Sequence, residues 1–380
     1  MAPPSSPAWV ILATVPRVSA AATAADVSLA VAAPPRVTFL TVSPRVSPAD
    51  PDPAAGLLFP FVLASDPSGL LLTITPQSAS APPPKDLAYF VLDVPSATAS
   101  HVDGPDPDWF VFSWEDLGVI AAPGGGYMIA GFNRDSSPDL SLICFSPHIG
   151  VWIEKDVDNP EPDKIWSFSD VISHDGKLWW VDTAEGLLVC DPFPDQPVLD
   201  FVAFPEEACD ESDDEKPGDD QPLRRVRVLL SNGKFRCVKM TWARQGGAPT
   251  VAVFTLVDPD TEEWTLEYEV TFADIWADDT YKAAGLPEKT PVIALMHPKN
   301  PDVLYFFLGE FLFAVDMRAK KVVECVAHEL HGPASEVGVS PSRVLAWELP
   351  PALTAVPTDR AKENLCSDIH GIWCEEQGKD

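Results

Sequence analysis

The sequence predicts an all-β protein, a β-propeller of about six four-stranded antiparallel blades. Three observations carry that prediction. Apolar strands alternate with tight turns from Ser169 to Pro192, looser copies of this pattern recur along the chain, and proline is abundant. In the clearest copy, three short strands are separated by Asp175-Gly176 and Glu185-Gly186 and closed by Asp191-Pro192. Two-residue loops with glycine at a positive-φ position join antiparallel strands, because the twist of the turn matches that of the strands. A fourth amphipathic strand, Val198 to Phe204, completes a unit of the kind that radial repetition closes into a ring. The 41 prolines, about twice ordinary usage, exclude long helices, since each removes a hydrogen bond and clashes with the preceding turn.

The elements follow in order. Strands are expected at 9–15, 28–32 and 36–43. A first hairpin unit runs from Phe61 to Thr75 and on through Leu87 to Val94. The next spans Gly118 to Phe132, Leu140 to Pro147 and Gly150 to Glu154. The unit at 169–204 is third. A fourth begins at Arg227 and continues through Val251 to Val257 and Trp264 to Val270. The fifth joins Val292, Leu304 to Leu308, Phe311 to Asp316 and Val322 to Val326. Their first turns fall near 67, 125, 176, 233 and 300, a spacing of roughly 50 to 67 residues. Five full units plus the N-terminal strands give six blades, with seven as the alternative count. The short strand Val344 to Glu348 is expected to close the ring by completing the N-terminal blade. Helix is expected only locally, at Phe272 to Tyr281 or after Thr358. The reading is one propeller domain over 1–355, a disordered acidic insertion at 205–221, and a flexible tail at 356–380.

Charge and cysteine usage limit the partners. A net charge of −31 repels nucleic-acid phosphates and anionic membranes, so neither is expected to bind. Other proteins, including basic ones, remain as partners, and a monomer is expected. The seven cysteines are odd in number and contain no Cys-x-x-Cys pair, and several, such as Cys144 and Cys190, sit inside apolar strands. That usage fits a reducing compartment, hence the cytoplasm or nucleus. No run of 18 apolar residues occurs. The Ala-rich first 35 residues look like a plastid leader, but Trp9 to Val15 is a strong strand and Pro16 interrupts a signal core. A cleaved leader is therefore not expected.

Several segments carry a resemblance. Trp9-Val-Ile-Leu, Ala25 to Ala30, Ala33-Pro-Pro-Arg-Val37, Asp66-Pro-Ser-Gly-Leu-Leu-Leu72, Gly176 to Asp182 and Leu188 to Pro192 resemble a plant family expanded in grasses, domain of unknown function family 1618. The resemblance extends over roughly 7–355. It implies a kelch-like or F-box-associated type of propeller in the plant cytoplasm or nucleus. It carries over no catalytic residue. F-box helices are not expected before the first blade.

Trp179 and Trp180 should point to opposite sheet faces, and packing accounts for them better than a sugar-stacking platform. His328-Glu-Leu-His331 has ligand spacing i, i+3 rather than the i, i+4 of a zincin helix and ends a strand. Cys366, His370 and Cys374 have i, i+4, i+8 spacing but lack a fourth ligand and include Gly371. Asp156 to Asp163 lacks the central glycine of a calcium loop. Gly124-Gly125-Gly126 is followed by a strand rather than the helix that a phosphate cradle needs. No catalytic, cofactor or metal residue is assigned. Ser212, in Glu211-Ser-Asp-Asp-Glu215, is the one candidate phosphorylation site, suited to an acid-directed kinase. The functional expectation is a non-enzymatic protein-interaction scaffold that binds through loops on one face of the ring. The alternatives are a channel-sited hydrolase of glycans or esters, and the substrate-recognition component of a ubiquitin ligase.

Overall fold

The computed structural model describes residues 7–19, 25–47, 60–76, 87–105, 116–133, 140–161, 164–208, 223–242, 247–328, 330 and 344–354. The chain opens with β1 (Trp9–Ala13), β2 (Arg17–Val18), β3 (Val27–Ala30) and β4 (Val37–Val42). Five sets of four strands follow. Blade 1 is β5 (Phe61–Ser65), β6 (Leu70–Pro76), β7 (Leu87–Asp93) and β8 (Thr98–Val102). Blade 2 is β9 (Gly118–Ala121), β10 (Tyr127–Asn133), β11 (Ser141–Phe145) and β12 (Trp152–Asp156). Blade 3 is β13 (Phe168–His174), β14 (Lys177–Asp182), β15 (Gly186–Cys190) and β16 (Leu199–Ala203). Blade 4 is β17 (Leu223–Ser231), β18 (Lys234–Trp242), β19 (Thr250–Asp258) and β20 (Glu263–Thr271). Two short helices, α1 (Phe272–Ala277) and α2 (Asp279–Ala283), lead to blade 5: β21 (Val292–Met296), β22 (Val303–Leu308), β23 (Phe311–Asp316) and β24 (Lys321–Ala327). The last elements are β25 (Val344–Glu348) and α3 (Pro351–Thr354).

Each of the five sets is an antiparallel meander. The turn chemistry explains why. Asp175 and Gly176 take φ of 50° and 74°, and Asn232 and Gly233 take 50° and 70°, the two positive values that a type I′ hairpin needs. At Gly186 the constraint is also steric, because a Cβ there would stand 2.3 Å from the carbonyl oxygen of Val202.

The described residues therefore form five four-stranded blades, not six or seven. The N-terminal strands do build a further sheet, in the order β2-β4-β1-β25 with β3 on β4, but it is five-stranded and mixed. Strand β1 runs parallel to β4, and so does β2. Parallel neighbours need a crossover connection, which the segment between β1 and β4 provides. An antiparallel place beside β1 is instead filled by β25, which pairs Trp9 with Glu348 through Ala13 with Val344. The C-terminal strand thus does complete the N-terminal sheet. Six apolar clusters fill the gaps between successive sheets around the ring. Among them Trp180 is fully buried between blades 2 and 3, and Trp179 is buried between blades 3 and 4, on opposite faces as alternation demands.

The first strand of each blade lies innermost. β5, β9 and β13 touch one another, β17 touches β21, and β21 touches β25. That β5 and β13 meet across β9 makes the axis tight on the side of blades 1 to 3.

Candidate functional site

Blade 4 departs from its neighbours in length. Its four strands have nine residues each, whereas β13 to β16 of blade 3 have seven, six, five and five. Apolar packing with blade 3 covers one end of its face through Val226, Val228, Phe235 and Cys237. The other end overhangs and forms an open groove of about 620 Å³. Its floor includes Lys239, Thr241, Phe254, Trp264 and Leu266, with Glu269 at the rim. Leu266 is 51% exposed, a large apolar side chain left uncovered in the groove. Trp264 is fixed, its Nε1 donating to Ala203 O at 2.8 Å and its ring lying edge-on to Phe204. Lys239 is held to the backbone oxygen of Glu207. The turn Pro205–Ala208, closed by Ala208 N donating to Pro205 O at 2.7 Å, walls the groove and buries Ala208.

The inner edge of the same blade carries charge. Arg225 and Arg227 lie two residues apart on β17, opposite Met240 and Val238 on β18. Asp170 lies on β13, opposite Val181, and its Oδ1 accepts from Val171 N at 2.9 Å. Burial pushes the Asp170 carboxyl above the usual carboxylate range, against the pull of Arg227. Burial lowers Arg227, the Asp170 charge raises it, and the neighbouring Arg225 lowers it further. Burial lowers Arg225 as well.

A third polar constellation ties blades together. Asp66, 5% exposed at the end of β5, accepts through Oδ2 from Ser173 Oγ at 2.6 Å in blade 3 and from Ala121 N at 3.2 Å in blade 2. Its Oδ1 accepts from Ser68 N at 2.8 Å. Between blades 2 and 3, Lys155 Nζ donates to the carbonyls of Pro192, Phe193 and Pro194 at 2.7, 3.2 and 2.8 Å.

The residues singled out in the sequence are placed as follows. Ser212, most of the acidic insertion, Cys366, His370 and Cys374 lie outside the described residues. Within the expected insertion, 205–208 form the turn just described. His328 ends its strand, its ring edge-on to Phe307 and its Nδ1 facing Leu330 N at 3.4 Å, while His331 is outside the described residues. Gly124 to Gly126 form the β9–β10 hairpin, all with positive φ. Cys144 and Cys190 are buried, and burial pushes both thiols up to about 12, as core residues rather than nucleophiles. Among the described residues, no group of three or more His, Cys, Asp or Glu could hold a metal ion. No described helix is long and apolar enough to cross a membrane. Sequence reading missed Arg225 by starting its strand at Arg227. The signal was present, because Arg225-Val-Arg-Val228 alternates in period two.

A closed ring of sheets, five of them four-stranded antiparallel blades, defines a β-propeller, and the groove on blade 4 is its candidate site. Residues 180–305, from the middle of β14 into β22, match the family described as "Protein of unknown function (DUF1618)". The match lies inside the wider span over which the sequence motifs resemble that family, and it carries no activity. No curated protein matches the chain. Among solved structures, YCF48 bound to D1 peptide aligns at 8% identity and TM-score 0.37, covering 84% of this chain and 81% of that one. The β-propeller domain of Myceliophteria thermophila Cps50 (Swd1) aligns at 8% identity and TM-score 0.34, over 74% and 94%. Penicillium chrysogenum α-L-arabinanase complexed with arabinobiose aligns at 12% identity and TM-score 0.31, over 68% and 77%. At such identities and scores nothing about binding or catalysis transfers to this chain.

Proposed function

We propose that the protein is a non-enzymatic interaction scaffold that holds an extended basic segment of another protein in the groove of blade 4. The overhanging face carries this reading. A rigid sheet presents an exposed leucine and a fixed indole beside Glu269, on a molecule whose net charge is −31. Apolar side chains of a bound segment would cover Leu266 and Trp264, and a Lys or Arg would meet Glu269. The surrounding field would speed encounter with a cationic partner. A hydrolase in the channel is less well supported. Glycoside hydrolysis generally uses two carboxylates flanking one bond. The described inner strands carry Asp170, whose carboxyl burial pushes above the usual range, and Glu348, exposed and paired with Lys299 at 2.5 Å.

Binding of arrayed extended peptides, basic against acidic, tests the proposal. Basic apolar peptides are expected to bind in a salt-dependent way. Leu266→Asp and Glu269→Lys, both at exposed positions, are each expected to weaken binding at least about tenfold, a loss of about 1.4 kcal/mol. Equal binding of acidic peptides, or full binding by both variants, would sink it.

A further inference from the structure

We infer that the groove of blade 4 reads its partner in period two: an apolar residue, and a lysine or arginine two positions away, on an extended segment lying along β19 and β20. The inference rests on the groove being a docking site for a basic segment, and it names the pattern that segment must carry. The placement follows from the register. Residues directly opposite each other in neighbouring strands share a face and form rows across the sheet. Phe254 stands opposite Cys237 and Leu266, and Ala252 stands opposite Lys239 and Glu269. Thr250 stands opposite Thr241. Three rows therefore line the groove in turn, one apolar, one charged and one hydroxylic. Trp264, opposite Leu256, stands at the apolar end. Within each of the first two rows burial falls from the inner to the outer strands. Val228 and Cys237 are buried, whereas Leu266 is uncovered; Val226 is buried, Lys239 and Ala252 are half-buried, and Glu269 is exposed. A segment crossing the strands would run into the packing with blade 3, whereas one following β19 and β20 meets the uncovered groups.

The rows and an extended partner share one repeat. Same-face residues two apart in a strand are about 6.8 Å apart, and so are side chains i and i+2 of a bound extended segment. An apolar side chain seated on Phe254 and Leu266 therefore places the side chain two residues away over Ala252, the smallest side chain of the floor, beside Glu269. Strand β20 keeps this step despite a bulge: Leu266 and Glu269 are three residues apart, yet they oppose Phe254 and Ala252, which are two apart. Glu269 has no ion pair among the described residues, so its charge is open to a partner. Lys239 occupies the inner side of the same row and repels a second cation, which directs the basic side chain outward to β20. The hydroxyls of Thr241 and Thr250 make no hydrogen bond among the described residues and suit a polar side chain two positions further on.

The test uses the full-length chain and fluorescently labelled peptides of identical composition. One leucine and one arginine stand one, two or three residues apart in a glycine-serine background, in both chain directions. In whichever direction binds better, spacing two is expected to give at least about tenfold tighter binding than spacing one or three. Glu269→Lys, at an exposed rim position, is expected to exchange the preference, so that a peptide with glutamate two residues from leucine binds tighter than its arginine counterpart. Equal binding at all three spacings would overturn the inference while leaving the groove a site for basic segments. A Glu269→Lys protein that still prefers the arginine peptide would overturn it as well. Binding of none of the peptides would remove both this pattern and the docking reading beneath it.

Discussion

Asp66 offers the sharpest quantitative test of how the ring is held. It sits in the Asp66-Pro-Ser-Gly69 turn, and an ordinary turn aspartate would do no more than accept from Ser68 N. Here the second oxygen reaches two other blades, to Ala121 N and Ser173 Oγ. Hydrogen bonds to a charged group contribute about 1.5–3 kcal/mol each, so the two inter-blade bonds set a ceiling of about 3–6 kcal/mol. Removing the carboxylate also removes the cost of keeping it from water, which offsets part of that loss. Asp66→Ala is therefore expected to lower unfolding stability by about 3 kcal/mol, and Ser173→Ala by about 1.5 kcal/mol. In the double variant the two losses should fall short of adding by about 1–2 kcal/mol, because Ser173 has already lost its acceptor when Asp66 is gone. Urea unfolding of the four proteins measures all three quantities. If Asp66 serves only its own turn, Ser173→Ala will be silent and the two effects will add. Either result, or an Asp66→Ala loss below about 1 kcal/mol, refutes the assigned role.

Two further outcomes are expected. Lys155 is 7% exposed and its ammonium meets three carbonyls. Lys155→Met keeps the stem and removes the donors, so it should lower stability by about 2 kcal/mol in urea unfolding, and an unchanged midpoint would contradict the role given to the amine. His297 is held below its ordinary pKa by burial, against the opposing charge of Glu324, and its Nδ1 accepts from Lys299 N and Asn300 N at 3.0 and 3.1 Å. The unfolded chain takes up this proton first as pH falls, near 6.5, so the contribution of His297 is complete above that pH and declines below it, by at most about 1.4 kcal/mol per pH unit. His297→Asn retains an acceptor without titrating. Stability profiles from pH 7.5 to 5 should diverge below 6.5, and parallel profiles would show that the ring is not kept neutral.

The blades were legible where local chemistry and burial agree. Asp175-Gly176 and Asn232-Gly233 dictate hairpins by themselves, and inner and middle strands such as Leu187 to Cys190 are apolar throughout because neighbours cover both faces. The outermost strands were harder. β8, Thr98–Val102, buries only Ala99 and Val102 and reads as polar, so it was missed. The blade count failed at the N-terminal sheet for a different reason: β1, β3 and β4 were read close to where they lie, but β2 was missed, and β1 pairs in parallel with β4 while β25 takes its antiparallel side, non-local choices of which periodicity holds no record. The candidate site was less legible still. The role of Asp66 is not local, since Asp66 and Ser173 are separated by 107 residues and belong to different blades.

A ring of similar wedges also gives a physical reason to look where the wedges differ. Every gap must be filled to similar density, so apolar content repeats from blade to blade and says little about use. Departures that cost stability are more informative. Blade 4 contains one of them: strands longer than those of blade 3, which leave Leu266 in water. A purely structural wedge gains nothing from it. That departure faces outward, where the longer strands border the groove and an extended polypeptide can lie against Trp264 and Leu266.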